Sequence, residues 1–425
     1  MEARGQVNLD RMLSRKPLHD AERQAAPATV CVTGGAGYIG SRIVARLLAA
    51  GHTVYATRRA AGDDEAAIAA LQELPGAQER LRWLEADLMQ AGSFDAAVAG
   101  CKYVIHTAGV VSLNAPQRLA YSRVIEPTLH GIENVLSAVN KTASVEKVVL
   151  TSSLVASSSD FHDRGPGHVY TEGDWNLGFM QLDEPYVTAK VLAEWQAWAI
   201  ASQQDRWRLV AICPGNTYGP PMDISPNSGP VPSMIKQMDG TFYPFVAPLG
   251  LTTVDLDDVA AAHVLAMVLP EARGRYLLCE RGTLMSDIAA MLRQMYPAYW
   301  VPHIVLPFWA AVPLLALMGI RSFKWMRSLW NKQGAVIDCS KARRELGLQF
   351  IPLEQTLREM MDRLIDLGIL RRIPAISTAP AALPLPAGAA QAGPATGAAH
   401  MVAAKAAEAE AVVGAALKQA AKKLA

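Results

Sequence analysis

The sequence has almost no net charge. Its 425 residues include 40 Lys and Arg against 39 Asp and Glu, which leaves a formal charge of +1. A balance this close to neutral lacks the basic face that nucleic acids select, so no nucleic-acid partner is expected. With 51% hydrophobic residues the chain can bury a large core, which excludes an acidic disordered protein.

Cysteine is scarce, and the N-terminus has no continuous apolar stretch. No two of the five cysteines have CxxC or metal-ligand spacing, so we expect reduced thiols and no metal site; they are Cys31, Cys101, Cys213, Cys279 and Cys339. The first residues include Asp10, Asp20 and Glu22, which argues against a secretory signal. We therefore expect a cytoplasmic protein, with association at a membrane as the alternative.

Short β-rich runs alternate with helical patterns through the first half of the chain. Strands are predicted over residues 29–33, 53–57, 81–85, 103–107, 147–151 and 209–213. Helical periodicity lies between them, as at 132–140 and 186–203. This alternation predicts an α/β fold, a Rossmann-type doubly wound parallel sheet with a smaller C-terminal substrate lobe.

Composition shifts divide the chain further. Residues 1–27 are interpreted as a loose N-terminal tail, 28–213 as the cofactor-binding Rossmann domain, and 214–372 mostly as the substrate lobe. A helix predicted at 256–269 is expected to return to the Rossmann domain. Residues 373–400 are rich in Ala and Pro and are typical of a disordered linker, and 401–425 form an Ala-rich helical pattern.

One segment, residues 298–320, contains no Asp, Glu, Lys or Arg over 23 positions. It is long enough to cross a bilayer, but Pro302, Pro307 and Pro313 interrupt any continuous helix. A buried cap over the substrate pocket is the preferred interpretation. Peripheral membrane contact and a true membrane span remain alternatives.

The sequence TGGAGYIG at 33–40 lies between a predicted strand and a predicted helix. Gly34 allows a tight turn, Gly37 lets the backbone approach a pyrophosphate, and Gly40 permits close packing of helix on strand. Three glycines alone are a weak signal, whereas glycines inside a strand-turn-helix unit are a strong one. The motif predicts a dinucleotide site.

The end of the second strand favours NADP(H) over NAD(H). An acidic residue there would bind the ribose hydroxyls, but this chain has Arg58 and Arg59, whose guanidinium groups suit a 2′-phosphate. Asp87 and Leu88 follow the third predicted strand, where an adenine would lie.

The residues Tyr186 and Lys190 form a YxxxK motif on a predicted helix. The i, i+4 spacing places phenol and ammonium on one face, so the cation is expected to lower the pKa of Tyr186 and make it a proton donor and acceptor. Thr151, Ser152 and Ser153 close a strand at the carboxyl edge of the predicted sheet, where a hydroxyl can hold a carbonyl oxygen.

These motifs, in this order, resemble the extended short-chain dehydrogenases/reductases over residues 28–370. Within that family the chain is most similar to the branch of dihydroflavonol reductase, cinnamoyl-CoA reductase and aldehyde reductase. The similarity to this branch is carried by the sequences DWN at 174–176, VD at 254–255, DVAAAH at 258–263 and DCSKARRELG at 338–347.

The resemblance implies roles for individual residues. Tyr186 would be the general acid, Lys190 its partner and a ribose ligand, and Ser153 the residue that holds the carbonyl, with Ser152 as the alternative. Arg59 would meet the 2′-phosphate. The remaining cofactor contacts would come from the glycine turn, the third strand and the nicotinamide side, at Gly34, Gly37, Tyr38, Ile39, Gly40, Asp87, Leu88, Thr107 and Pro214.

The function favoured by this combination is NADPH-dependent reduction of an aldehyde or ketone on an apolar or aromatic small molecule. Oxidation of an alcohol, as in 3β-hydroxysteroid dehydrogenases, and nucleotide-sugar epimerase or dehydratase chemistry are the enzymatic alternatives. A non-catalytic NADP-binding sensor or scaffold is the alternative from another class. A homodimer is a possible oligomeric state.

Overall fold

The computed structural model describes residues 14–60, 65–110, 119, 121–158, 164–165, 167–179, 184–222, 229–317, 323–330 and 335–370. The linker predicted at 373–400 and the helix predicted at 401–425 lie outside these residues, as do residues 1–13 of the predicted tail. The predicted linker and the predicted C-terminal helix therefore stay predictions.

The strands in the described residues are β1 (Thr29–Thr33), β2 (Thr53–Arg58), β3 (Leu81–Glu85), β4 (Tyr103–His106), β5 (Lys147–Thr151), β6 (Val169–Tyr170), β7 (Arg208–Pro214), β8 (Asn216–Tyr218), β9 (Phe245–Val246), β10 (Gly250–Asp255), β11 (Gly274–Leu278), β12 (Arg281–Leu284), β13 (Ile304–Val305) and β14 (Val336–Ile337). Seven of these strands are parallel and form the main sheet, in the order β11-β7-β5-β4-β1-β2-β3. The strand order reverses between β1 and β4, which creates the crevice where ligands bind in doubly wound folds. Smaller sheets pair β12, β10 and β8, β13 and β9, and β14 and β6.

Helices connect the strands and cover the sheet. They are α1 (Asp20–Gln24), α2 (Tyr38–Ala49), α3 (Glu65–Gln72), α4 (Ala77–Arg80), α5 (Asp95–Val98), α6 (Glu126–Lys141), α7 (Pro185–Ala201), α8 (Val231–Met238), α9 (Leu256–Val268), α10 (Met285–Met295), α11 (Phe308–Leu317), α12 (Phe323–Leu329), α13 (Ser340–Glu345) and α14 (Leu353–Asp366). A π-helical turn at Tyr121–Ile125 precedes α6, and a 3-10 turn at Leu154–Ala156 follows β5. The predicted fold class, a Rossmann-type α/β sheet, is confirmed.

Strands of the main sheet are continuous apolar runs because both faces of the sheet are buried. In β1, Val30 and Val32 pack into one hydrophobic cluster and Cys31 into another, because helices cover both faces of a parallel sheet. Helix α9 packs against α2 and against β5 and β7, so the chain returns to the main sheet after β10. All five cysteines are buried free thiols.

The described part of the N-terminal segment differs from the loose tail expected from its polar composition. Helix α1 is capped by His19, and the buried Glu22 pairs with Arg46 of α2 at 2.5 Å. Arg15 pairs with Asp255 at 2.7 Å and with Asp257. The segment packs through buried charges, which the search for apolar periodicity does not detect.

The uncharged segment 298–320 also differs from the buried cap that was expected. It contains β13 and α11, separated by Leu306 and Pro307, and Ile304, Val305 and Trp309 are exposed to solvent. None of the helices in the described residues is both long enough and apolar enough to span a membrane. Residues 318–320 lie outside the described residues.

Candidate active site

The glycine turn has the geometry that its sequence predicts. Gly34 follows β1 with φ of +67°, a conformation that L side chains rarely adopt. A Cβ added to Gly40 would lie 2.1 Å from the Gly34 carbonyl oxygen, so only glycine allows α2 to pack this closely on the turn. Gly37 caps the N-terminus of α2 without a side chain. A backbone turn that leads into a helix N-terminus fits the pyrophosphate of a dinucleotide.

Neighbouring residues hold this turn in place. The Tyr38 hydroxyl donates to the Gly219 carbonyl at 2.8 Å, and the Thr107 hydroxyl donates to the Thr33 carbonyl at 2.7 Å. Ile39 packs against the core, and Pro214 is buried at the end of β7. The structure shows supporting contacts for these four residues, and their contacts with a cofactor stay a prediction.

The two arginines at the end of β2 have different surroundings. Arg58 lies near two carboxylates, Glu65 at 3.1 Å and Glu85 at 3.6 Å. Arg59 is exposed and makes no hydrogen bond or ion pair with a described residue. Its guanidinium is therefore the more available of the two for a phosphate.

The loop after β3 lies beside α6. Asp87 is exposed, and its carboxylate accepts the backbone N–H of Met89 at 2.8 Å. The Leu88 carbonyl accepts the side-chain amide of Asn134 at 2.8 Å, and a Cβ added to Gly131 would lie 2.7 Å from the Leu88 side chain. The loop is thus fixed to α6 at Leu88, while the Asp87 side chain faces outward.

Ser153, Tyr186 and Lys190 meet at the carboxyl edge of the sheet. The side chains of Ser153 and Tyr186 are joined by a hydrogen bond. Lys190, one turn along α7, donates to the Thr151 carbonyl at 3.3 Å. The structure also separates the two candidate serines, because the hydroxyl of Ser152 points to Glu194 instead.

The electrostatics of the pair differ from the expectation in one respect. Burial raises the pKa of the Tyr186 phenol above its ordinary value, and the hydrogen bond from Ser153 lowers it only in part. Burial also lowers the pKa of Lys190 to about 8, although the charge of Glu194 opposes this shift. The predicted lowering of the Tyr186 pKa by the cation is therefore not observed, because burial is the largest influence on the phenol.

A buried charged network behind these residues was missed in the sequence. Glu194 accepts the Arg275 Nε–H at 2.7 Å, the Ser152 hydroxyl at 2.5 Å and the Trp198 indole N–H at 3.2 Å. Arg275, on β11, also donates to the Asp174 carbonyl at 2.7 Å. The one sequence signal was the spacing, since Glu194 is four residues after Lys190 on the same helix face.

The wall beside Ser153 is fixed by the DWN sequence. Asn176 is buried, and its backbone N–H and side-chain amide donate to the carbonyls of Ala156 at 2.9 Å and Val155 at 2.8 Å. On the other side, His106 is hydrogen-bonded to Thr33 at 2.6 Å. Burial, followed by the charge of Lys190, lowers the pKa of His106 to about 3, which keeps it neutral and suits a structural histidine. A small cavity lies between His106, Thr128 and Lys190.

Comparisons with known proteins show the family to which the chain belongs. A model of the NAD dependent epimerase/dehydratase family matches residues 30–278. Cinnamoyl-CoA reductase CAD2 of Medicago truncatula is 32% identical over 342 residues, 79% of this chain and 95% of that protein. Dihydroflavonol 4-reductase of Gerbera hybrida is 33% identical over 284 residues, 65% of this chain and 75% of that protein.

A solved structure supports the fold. The yeast methylglyoxal/isovaleraldehyde reductase Gre2, crystallised with NADPH, is 23% identical, with a TM-score of 0.66 over 80% of this chain and 99% of its own. The chain therefore belongs to the NAD dependent epimerase/dehydratase family, within the branch of extended short-chain dehydrogenases/reductases that includes dihydroflavonol and cinnamoyl-CoA reductases.

Proposed function

We propose that this protein is an NADPH-dependent carbonyl reductase. Membership of the reductase branch makes the chain an oxidoreductase with an NADP-binding Rossmann fold. The observation that carries the finer proposal is the hydrogen bond between Ser153 and Tyr186, one helical turn from Lys190. The substrate we propose is an aldehyde or ketone on an apolar or aromatic small molecule, as the names of the plant relatives suggest.

Each residue of the site has a separate role in the proposed reaction. NADPH, when bound, supplies the hydride that reduces the carbonyl carbon. Ser153 holds the carbonyl oxygen by a hydrogen bond, and Tyr186 gives that oxygen its phenolic proton, which completes the alcohol. The raised pKa of Tyr186 keeps the phenol protonated at neutral pH, which suits a proton donor. Lys190 provides the nearby positive charge that stabilises the phenolate left behind.

The residues around the proposed cofactor site support NADP(H) in particular. The Gly34 turn and the N-terminus of α2 would hold the pyrophosphate, and the uncommitted Arg59 would meet the 2′-phosphate. Lys190 would also bind the ribose of the nicotinamide half. The exposed Asp87 and the anchored Leu88 would border the adenine.

The other functions have weaker support. Alcohol oxidation would use the same three residues in reverse, so it shares the site and differs in direction and substrate. Epimerases and dehydratases for nucleotide sugars need cations for a diphosphate, which the uncharged segment 298–320 does not provide. A cofactor-binding scaffold would not require Ser153 and Tyr186 to be hydrogen-bonded next to Lys190.

The test is the variant Tyr186→Phe, which removes only the phenolic hydroxyl. We expect turnover of NADPH with an aromatic aldehyde or ketone to fall by about 10²-fold or more, the scale at which a general acid contributes, while NADPH binding persists. The same change at Tyr103, which begins β4 at the opposite end of the strand from the site, is the matched control. Turnover within a few-fold of the parent in Tyr186→Phe would overturn the proposal.

A further inference from the structure

The segment expected to be a buried cap instead forms part of an exposed apolar surface. We define this apolar surface by the side chains of Tyr243, Phe245, Trp300, Ile304, Val305 and Trp309. Trp309 is 79% exposed and Val305 is 50% exposed. Phe245 and Ile304 are paired in the β9–β13 sheet, and the rings of Tyr243 and Trp300 lie 5.5 Å apart. Large side chains grouped in this way mark an interaction site rather than the scattered apolar residues of an ordinary surface.

Helix α11, which carries Trp309, strengthens this interpretation. Its sequence, FWAAVPLLAL, contains no polar side chain. A surface helix of a water-soluble domain is normally apolar only on the face that it buries. Here Ala311 is buried, whereas Trp309 and Pro313, which are four residues apart and share the opposite face, are exposed. Both faces of α11 thus suit an apolar environment.

The stretch of chain that contributes Trp300, Ile304, Val305 and Trp309 to the apolar surface contains no acidic residue. Residues 288–337 contain no Asp or Glu, and the cations of this stretch whose side chains the structure describes are Arg293 and Arg327. Arg327 lies 4.8 Å over the Phe308 ring, and Arg293 donates to the Pro302 carbonyl at 3.2 Å. Asp239 is an acidic residue beside the apolar surface, because its backbone forms an isolated β-bridge with Trp300. Its carboxylate accepts a hydrogen bond from the Thr241 backbone N–H.

We propose that the apolar surface docks the protein peripherally on an anionic lipid bilayer. Tryptophan, tyrosine and aliphatic side chains would enter the boundary between headgroups and acyl chains, and Arg293 and Arg327 would meet the anionic headgroups. Because α11 has only ten residues, too few to cross a bilayer, it would lie along the membrane surface. The same cations that attract anionic lipid disfavour the other occupants of the surface.

Two other occupants fit the charge less well. A symmetric pair of copies would bring the same surface of each together, so both sides of the interface would carry these cations and neither would supply the opposite charge. The C-terminal residues 373–425 carry four lysines and two glutamates, so they do not provide the missing negative charge. An anionic lipid surface supplies both the apolar phase and the opposite charge.

The experiment is flotation of the purified full chain with lipid vesicles. One set is made of phosphatidylcholine alone and the other of phosphatidylcholine with phosphatidylglycerol. We expect the parent to float with the anionic vesicles, less with the neutral ones, and less as salt is added, because screening weakens attraction between surface charges. The double variant Ile304→Ser/Trp309→Ser should bind the anionic vesicles at least about tenfold more weakly.

Two further variants separate the apolar and charged contributions. Val336→Ser is the matched control, since Val336 is 61% exposed on β14, outside the apolar surface, and this variant should float like the parent. Arg327→Glu should lose binding to anionic vesicles selectively. NADPH turnover in solution should be unchanged in the double variant.

The proposal fails if the parent does not float with anionic vesicles or if the double variant floats as well as the parent. It also fails if the parent is a dimer by light scattering while the double variant is a monomer, because the apolar surface would then be an interface between copies. Because none of these outcomes depends on turnover, they are independent of the proposed reductase activity.

Discussion

Two neighbouring arginines at the end of β2 are the residues expected to decide whether the protein prefers NADPH or NADH, and each can be tested by a single substitution. Arg59 is exposed and uncommitted among the described residues, whereas Arg58 lies near Glu65 and Glu85. A charge-assisted contact from Arg59 to a 2′-phosphate should favour NADPH by about 1.5 to 3 kcal/mol, or roughly 10- to 100-fold in affinity. We expect Arg59→Asp to reverse the preference toward NADH, and Arg58→Ala to change it less.

Titrating both cofactors into the parent and the two variants measures this preference. Equal affinity of the parent for NADH and NADPH would contradict the assignment of Arg59.

The pKa of Lys190 predicts how the activity depends on pH. Burial lowers the pKa of its ammonium to about 8, so Lys190 is charged below that pH and neutral above it. The positive charge next to Tyr186 is therefore lost as the pH rises through about 8, and kcat/KM for carbonyl reduction should decline there. A pH profile of kcat/KM with saturating NADPH measures the decline, and a flat profile from pH 7 to about 10 would argue against a charged Lys190 in the reaction.

At the scale of elements, the ion pair between Glu194 and Arg275 joins helix α7 to the edge strand β11. Glu194→Gln keeps the shape of the side chain but leaves the buried Arg275 without its counter-charge, which should cost about 3 to 5 kcal/mol of unfolding free energy. Because the charge of Glu194 raises the pKa of Lys190, its loss should also move the alkaline decline in kcat/KM to lower pH.

Trp198→Phe is the matched control for this pair. It removes a neutral indole hydrogen bond to Glu194 at 3.2 Å and keeps both charges. We expect a smaller loss, about 1 kcal/mol beyond the change in packing, and an unmoved alkaline decline. Chemical denaturation and the pH profile together distinguish a positioning role of Glu194 from a purely structural one, for which the decline would not move.

At the scale of the whole molecule, the N-terminal segment ties distant parts of the chain together. Arg15 contacts Asp255 at the end of β10, Asp257 in α9 and Glu359 in α14. Arg15→Ala would leave two buried carboxylates without this cation, which should lower the unfolding free energy by about 3 to 5 kcal/mol at pH 8.

The deficit in Arg15→Ala should shrink as the pH falls. Burial already raises the pKa of Asp255 while Arg15 opposes that shift, so removing Arg15 raises the pKa further. Below that raised pKa the carboxyl is protonated and neutral, and the cost of burying an unpaired charge disappears. Arg23→Ala, which breaks the exposed Arg23–Asp20 pair of the same segment, should cost about 0.5 kcal/mol or less at either pH. Equal stability of the parent and Arg15→Ala at pH 8 would contradict this account.

Local features of this protein could be predicted from its sequence because their cause is local. The turn at Gly34 requires a positive φ and a close backbone approach at Gly40, and both requirements appear as glycine at fixed positions. Tyr186 and Lys190 share a face because four residues make about one helical turn. The alternation of β-rich runs with helical periodicity is also a local pattern, and it predicted the parallel sheet. The catalytic and cofactor-binding roles stay predictions.

Only the tertiary structure decided which distant residues meet. It placed Ser153 rather than Ser152 on Tyr186, paired Glu194 with Arg275 across 81 positions and paired Arg15 with Asp255 across 240 positions. It also placed Trp309 in solvent, although its uncharged surroundings predicted burial. Periodicity reports the side of its own helix or strand that a residue occupies, whereas what packs on that side depends on how the remaining elements are arranged around it.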